Sequence, residues 1–260
     1  MARSKTFAVK PRVNQWYGWQ PDLPDHRDHP FLLGVHKPTA LPPRVDLRAE
    51  CSPVEDQGQL GSCTANALVG ALEFLEKQQG QAKATDLSRL YVYYNERVIE
   101  NSVGQDAGAM LRDGVKTLAK QGVCSEAKWP YVIAKFKSKP TPSCYSDGAK
   151  HKISSYQRLQ TTDDMRACLA AGFPFVFGFT VYEAFESASM AKSGMLNMPK
   201  KSEKVLGGHA VCAVGYDDVR KRFTVRNSWG ADWGLQGYFT MPYEYLADRN
   251  LSDDFWTIRK

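Results

Sequence analysis

Gln57-Gly58-Gln59-Leu60-Gly61-Ser62-Cys63 runs directly into Thr64-Ala65-Asn66-Ala67-Leu68-Val69-Gly70-Ala71-Leu72-Glu73-Phe74-Leu75, and the reading of that junction decides the fold. Ala67, Ala71, Phe74 and Leu75 recur at three- and four-residue spacing, Leu68 and Leu72 widen the stripe, and Gly80 ends it. This is the pattern of a buried helix. Cys63 then falls at or just before the helix N-terminus, where unpaired backbone N–H groups and the helix dipole favour an anion. A thiol so placed is expected to have a lowered pKa and to react as thiolate. Gly58 and Gly61 let backbone approach whatever lies in front of the sulfur. The same stretch also fits a buried cysteine capping a core helix, and alone it does not separate the two readings.

Two later stretches do. Gly207-Gly208-His209-Ala210-Val211-Cys212-Ala213-Val214-Gly215-Tyr216 is an apolar run too short for a helix, and Arg222-Phe223-Thr224-Val225-Arg226-Asn227-Ser228-Trp229-Gly230 alternates polar and apolar residues. Both read as strands. A hairpin turning at residues 217–221 places Phe223 opposite Ala213, Val225 opposite Val211 and Asn227 opposite His209, all on one face. The pairing brings an imidazole beside an amide that can fix its tautomer and direction, with Trp229 as a roof that excludes water.

Gln57…Gly61-Ser62-Cys63, Gly208-His209-Ala210-Val211 and Asn227-Ser228-Trp229-Gly230-Ala231-Asp232-Trp233-Gly234…Gly237-Tyr238 resemble, in the same order, the three signature blocks of the papain-like cysteine peptidases. That family has His and Asn well downstream of a Cys near the mature N-terminus. The resemblance extends to Leu41-Pro42-Pro43-Arg44-Val45-Asp46-Leu47-Arg48, to Asp106-Ala107-Gly108-Ala109-Met110-Leu111, and to Gly122-Val123 through Trp129-Pro130-Tyr131. Thr64 stands where the family usually has Trp or Tyr, Leu60 where many members have cysteine, and Gly208 where Asp is common. These departures suggest a distant, bacterial branch with a short, unusual N-terminal extension.

The resemblance implies an α+β fold, with a helical subdomain packed on an antiparallel, barrel-like β subdomain and the active-site cleft between them. It implies peptide-bond hydrolysis through a Cys63–His209 thiolate–imidazolium pair and a thioester, with Asn227 orienting the imidazole and the Gln57 amide in the oxyanion hole. Gly108 and Ala109 are expected to offer backbone hydrogen bonds to an extended substrate. Met110 is expected to wall the main specificity pocket above Ala210, although Met110 also suits a helix core, and Trp229 closes the site. No cofactor or metal is implied, and the expected partner is a peptide or protein substrate of a monomeric enzyme. A catalytically silent binding protein and an acyl transferase using the same pair are the alternatives.

The chain's 260 residues suffice for one large domain or two closely packed subdomains, and 43% hydrophobic with 24% charged residues is an ordinary globular composition. The net charge of +6 is scattered, with no basic stripe and no stacking aromatics to suggest nucleic acid. No stretch approaches membrane-spanning length, and the basic start of the chain lacks the apolar core of a signal peptide. A soluble protein, cytoplasmic or exported by a non-classical route, is expected.

Seven of the 14 prolines lie within residues 1–45. Residues 1–40 therefore read as an extension, with residues 16–25 an extended strap pinned by aromatic residues. By position it is either an inhibitory pro-segment acting within the molecule or a structural arm. The peptidase domain is expected over residues 41–260, its helical half roughly 55–130 and its sheet half roughly 131–260. His26 and His29 have a zinc-like spacing, but the pair is isolated and without cysteines. Further helices are expected at 87–100 behind a Thr85-Asp86 cap, at 109–121 and at 161–171, and strands at 174–181, 236–241 and 255–258. Residues 130–142 read as an irregular connection, with Cys124 and Cys144 a candidate disulfide across it.

Overall fold

The computed structural model describes residues 16–31, 40–80 and 85–260; the basic start of the chain lies outside these. In chain order the elements are β1 (Trp19–Gln20), β2 (Arg44–Asp46), α1 (Cys63–Gln78), α2 (Arg89–Ile99), β3 (Ala109–Met110), α3 (Leu111–Lys120), α4 (Pro142–Gly148), β4 (Ser155–Arg158), α5 (Thr162–Ala170), β5 (Phe175–Tyr182), α6 (Ala188–Ser193), β6 (Val205–Asp217), β7 (Arg222–Arg226), β8 (Tyr238–Pro242), α7 (Tyr243–Ala247) and β9 (Ser252–Arg259). The fold is α+β, with the long helices first and the sheet later.

Helix α1 is buried from Cys63 to Glu76, and its two buried carboxylates are held in place. Glu73 takes Nη2 of Arg89 on α2 at 2.8 Å and the Ser52 hydroxyl at 2.5 Å. A buried ion pair persists only when its remaining lone pairs are also satisfied, so these bonds fix α1 against α2 and hold Cys63 in place.

Most of the sheet runs in the order β4-β9-β5-β6-β7-β8, with β2 paired to the far end of β6. All these pairings are antiparallel. Among the described residues β4 and β8 do not pair, so the antiparallel subdomain is an open ladder and not a closed barrel. One face buries an aromatic layer of Phe175, Phe177, Phe179, Phe223, Phe239 and Phe255, and the other packs α1 through Val176, Ala210, Cys212 and Val214.

The β6–β7 register differs from expectation. Cys212 faces Arg226 and Ala213 faces Val225; after an irregularity Gly215 faces Thr224, Tyr216 faces Phe223 and Asp217 faces Arg222. Lys221 adopts φ 51°, so the turn closes between Asp217 and Arg222, tighter than the reading assumed. A bulge then adds a residue to β6.

Helix α2 begins later than expected: the Ser88 hydroxyl, not Thr85 or Asp86, caps it by accepting from the Tyr91 N–H. The 109–121 helix loses its first two residues to β3, because Ala109–Met110 pair with β1. Helix α5 has the expected start, a reciprocal capping box of Thr161 and Asp164. Helices α4, α6 and α7 were not anticipated. All six cysteines are free thiols, Cys124 and Cys144 included. No helix among the described residues is long and apolar enough to cross a membrane.

Candidate active site

Cys63 is the first residue of α1 and is fully buried. The loop before it is stitched to the segment after β7: the Gln57 N–H donates to the Ser228 carbonyl at 2.9 Å and the Gly230 N–H to the Glu55 carbonyl at 3.0 Å. A second network sets the loop against β3. Asp106 accepts from the Gly61 N–H at 3.1 Å and from the Tyr93 hydroxyl, whose oxygen in turn accepts the Gly108 N–H at 3.2 Å.

Across from α1, β6 carries His209, also fully buried, whose Nε2 lies 2.8 Å from Oδ1 of Asn227. Asn227 stands just beyond β7, so the pair forms through side-chain reach despite the altered register. The same Oδ1 accepts the Ser228 N–H at 2.9 Å, which fixes the amide's orientation. The Trp229 ring lies 5.3 Å from the imidazole centroid at a 34° tilt, and Phe179 and Phe185 flank the imidazole. Ala210, next to His209, presents its backbone N–H to the Cys63 sulfur. Gln57 is fully buried; its Nε2 donates to the Leu60 carbonyl at 2.9 Å and its Oε1 accepts the Ser228 hydroxyl at 2.6 Å. The sequence-derived residues Cys63, His209, Asn227, Gln57, Ala210 and Trp229 therefore gather where α1 meets β6.

The strap lies over them. The Gly18 backbone N–H meets the Cys63 sulfur, and the Gly18 carbonyl accepts the Ala109 N–H at 2.7 Å. Trp19 and Gln20 pair in parallel with Ala109 and Met110. Tyr17 precedes Gly18 in the strap, its ring 6.0 Å from His209 and 6.4 Å from Trp229, with its hydroxyl on Glu186 at 2.5 Å. The β3 backbone expected to hold substrate thus holds the strap. Met110 is half-buried and lines a cavity of about 530 Å³ that Gln20, Leu23 and Glu100 share.

Burial pushes the Cys63 thiol up to about 11, against the pull of the Ala210 and Gly18 backbone amides. The expected lowering is not met in this covered state, because desolvation outweighs the helix terminus. Sequence reasoning also missed Glu96. It is fully buried behind the nucleophile turn, accepts the Thr64 hydroxyl at 2.9 Å, and is pushed well above the ordinary carboxylate range by burial. Thr64, the residue that departs from the resemblance, is thus the one that bonds this carboxylate. The His26/His29 pair joins no group of three or more metal-ligating residues among the described residues.

This arrangement of a buried cysteine at a helix start, an imidazole on an opposing strand and an amide behind it defines a papain-type thiol hydrolase. Residues 41–252 match the papain family cysteine protease, and the chain belongs to that family. It is 48% identical over 214 residues to an uncharacterized peptidase C1-like protein of Acanthamoeba polyphaga mimivirus, covering 79% of this chain and 69% of that protein. It is 31% identical to the thiol protease aleurain of Arabidopsis thaliana over 81% of this chain and 59% of that one. Its fold superposes on xylellain, a cysteine protease from Xylella fastidiosa, with a TM-score of 0.88 and 42% identity, covering 96% of this chain and 98% of that one. The chain spans less than two thirds of several of its plant and protozoan relatives, for example 64% of cysteine proteinase 1 of Entamoeba histolytica.

Proposed function

We propose that this chain is a cysteine peptidase held shut by its own N-terminal strap, with Cys63 as nucleophile, His209 as general base and acid, Asn227 as the orienting group and Gln57 in the oxyanion hole. With the strap withdrawn, water enters the cleft, the cost of ionising Cys63 falls, and His209 takes its proton. The thiolate attacks a peptide carbonyl. The tetrahedral oxyanion is met by the Cys63 backbone N–H and by the Gln57 amide N–H not engaged with Leu60. His209 then protonates the departing amine and activates the water that releases the acyl group. Trp229 keeps bulk water from the His209–Asn227 bond.

The observation that carries the proposal is the Gly18 backbone seated on the Cys63 sulfur. Strap polarity explains why it blocks the site instead of being cut. A substrate must leave its amine beside His209, so its chain runs from the β3 side toward His209 and Trp229. The strap runs the other way, from Tyr17 beside His209 to Trp19–Gln20 on β3. Its Gly18 carbonyl is bonded to the Ala109 N–H, on the β3 side of the sulfur. The extension at residues 1–40 then serves as an intramolecular inhibitor of a body that begins near residue 41.

The test is labelling of the full chain with an epoxysuccinyl inhibitor followed by peptide mapping, beside hydrolysis of a fluorogenic dipeptidyl amide. Label is expected on Cys63 alone, with loss of hydrolysis in step. Label on another cysteine, or hydrolysis that survives Cys63→Ser, refutes the assignment.

A further inference from the structure

A ring of buried polar groups joins the helical side to the sheet side behind the sulfur, and it is open at one place. From Gln57 it runs two ways. On the sheet side the Ser228 hydroxyl donates to Gln57 Oε1 at 2.6 Å, and the Ser228 N–H to Asn227 Oδ1 at 2.9 Å. On the helix side the Gln57 carbonyl accepts the Tyr131 hydroxyl at 2.9 Å, and that hydroxyl lies 2.5 Å from Ser62 Oγ. Ser62 accepts from Asn66 Nδ2 twice, at its carbonyl at 2.9 Å and at Oγ at 3.1 Å. The carbonyl can only accept, which fixes which end of the Asn66 amide is the nitrogen. The ring therefore ends in Asn227 Nδ2 on one side and Asn66 Oδ1 on the other. Asn66 is 7% exposed and Asn227 3%, and neither atom has a hydrogen-bond partner among the described residues. Both residues line the same cavity of about 10 Å³, together with Ala67, Ala210, Cys212 and Ser228.

We propose that one water fills this cavity, accepting from Asn227 Nδ2 and donating to Asn66 Oδ1, and that Asn66 is thereby a positioning residue for the His209–Asn227 pair. The inference rests on the peptidase reading above. The volume is room for a single water. The walls select it too: a cation would face the Asn227 N–H and an anion the Asn66 carbonyl, whereas a water answers both. Arg226 also lines the cavity, but its Nη1 and Nη2 donate to Ser52 and Pro53. A buried amide N–H left unpaired is unfavourable, so without the water Asn227 would turn its amide toward another acceptor and loosen its hold on His209. Asn66 lies three residues after Cys63 on α1. The water thus ties the amide that orients the imidazole to the helix turn that carries the nucleophile. Asn66 does this from behind, without touching substrate.

The experiment compares Asn66→Leu with Asn66→Ser in the full chain, where the strap is common to all variants. Leu is close to Asn in size but offers no acceptor. Ser62 then still holds the N–H of residue 66 on its carbonyl and the Tyr131 hydroxyl on its Oγ, so the change strands chiefly the Asn227 amide. Ser keeps a hydroxyl that can bond the Ser62 carbonyl one turn back, and it leaves space for a second water in place of Oδ1. With a fluorogenic dipeptidyl amide, Asn66→Leu is expected to lose about tenfold in kcat, the size of one hydrogen bond. KM should stay within about twofold, because acylation and deacylation both use His209. Asn66→Ser should stay within about threefold of the unaltered chain, since a water-mediated bond is nearly as good as a direct one. Packing alone predicts the reverse order, because Leu fills the site and Ser leaves a void. A crystal structure of the unaltered chain, which decides whether or not Asn66→Leu folds, should show one water within hydrogen-bond distance of Asn227 Nδ2 and Asn66 Oδ1. An empty cavity, Asn66→Ser slower than Asn66→Leu, or a loss confined to KM overturns the inference. If no variant cleaves any amide, the peptidase reading fails, and the rate of Cys63 alkylation by iodoacetamide carries the same comparison. Leu slower than Ser there upholds Asn66 as the positioning residue, and equal or reversed rates remove it.

Discussion

Gly18 has no side chain, and a Cβ built there would fall 1.7 Å from the Gly61 carbonyl oxygen. On the other side, a Cβ on Gly108 would meet the Gly18 carbonyl at 2.1 Å. The strap can therefore pass between the nucleophile loop and β3 only as bare backbone. Both obstacles are backbone atoms, which cannot yield as a flexible side chain would. Gly18→Ala should displace the strap from the sulfur while leaving the body's elements untouched. The expected outcome is epoxysuccinyl labelling of Cys63 at least about tenfold faster than in the unaltered chain, the effect of losing about 1.4 kcal/mol of strap docking. Equal labelling rates would mean that the strap does not limit access. At this scale the residues that gather at the candidate site were legible in sequence, because residue type and local setting mark each of them. His209 and Asn227 met although the register assigned to them was wrong, since a side-chain contact of 2.8 Å tolerates a shift of Cα pairing. The seat of Trp19 was not legible. It joins residues 19, 178, 208 and 254, and no local pattern links positions 235 apart.

The strap as an element is held by carboxylates as much as by rings. Asp22 is fully buried as a side chain, accepting from the Arg112 N–H at 3.0 Å and the Trp256 indole at 2.8 Å. Desolvation, and then the charge of Asp22, push Asp254 up to about 7, against Arg158 and with a smaller upward push from Asp253. Arg112, in the first turn of α3, faces the same cluster. When the strap leaves, Asp254 regains solvent and loses Asp22, so its pKa falls toward the ordinary carboxylate value. Docking therefore takes up a proton. Its contribution is complete below the undocked value and is lost as pH rises through about 7. Asp28 acts in the opposite sense. Although desolvation opposes it, hydrogen bonds from Arg112 and Arg158 keep Asp28 below the usual range, so its contribution is lost only in stronger acid. Strap docking should accordingly weaken between about pH 5 and pH 7, by up to about tenfold per unit, and level off above. Limited proteolysis of the strap in full-length Cys63→Ser, normalised to a free strap peptide, measures this. A strap that loosens toward pH 5 would contradict it, and Asp254→Asn should flatten the profile. The short helices α4, α6 and α7 escaped the sequence reading for a related reason: five to seven residues hold too little periodicity, and tertiary packing decides their state.

Across the whole molecule the strap joins parts that the cleft divides. Asp28 takes Nε and Nη2 of Arg112, at the start of α3, at 2.9 and 2.6 Å, and Nη1 of Arg158, on β4, at 3.0 Å. Asp22 and Trp19 extend the clamp to Trp256 and Asp254 on β9. One segment is thus bonded to the helical side through α3 and to the sheet through β4 and β9, and the contacts that close the cleft also tie its two walls together. Stability and accessibility should then move in opposite directions. Asp28→Ala removes a two-pronged carboxylate–guanidinium contact and leaves Arg112 short of a partner, a loss of about 1–3 kcal/mol for hydrogen bonds to charged groups. In a chain of 260 residues that corresponds to a fall in Tm of about 2–10 °C. The same variant should label at Cys63 severalfold faster, because the strap has lost an anchor beyond Trp19. Calorimetry and labelling on one preparation decide the matter. A lower Tm with unchanged labelling would show that the clamp steadies the two walls without controlling the strap over the sulfur, and faster labelling with unchanged Tm would show that the strap adds nothing to the stability of the body.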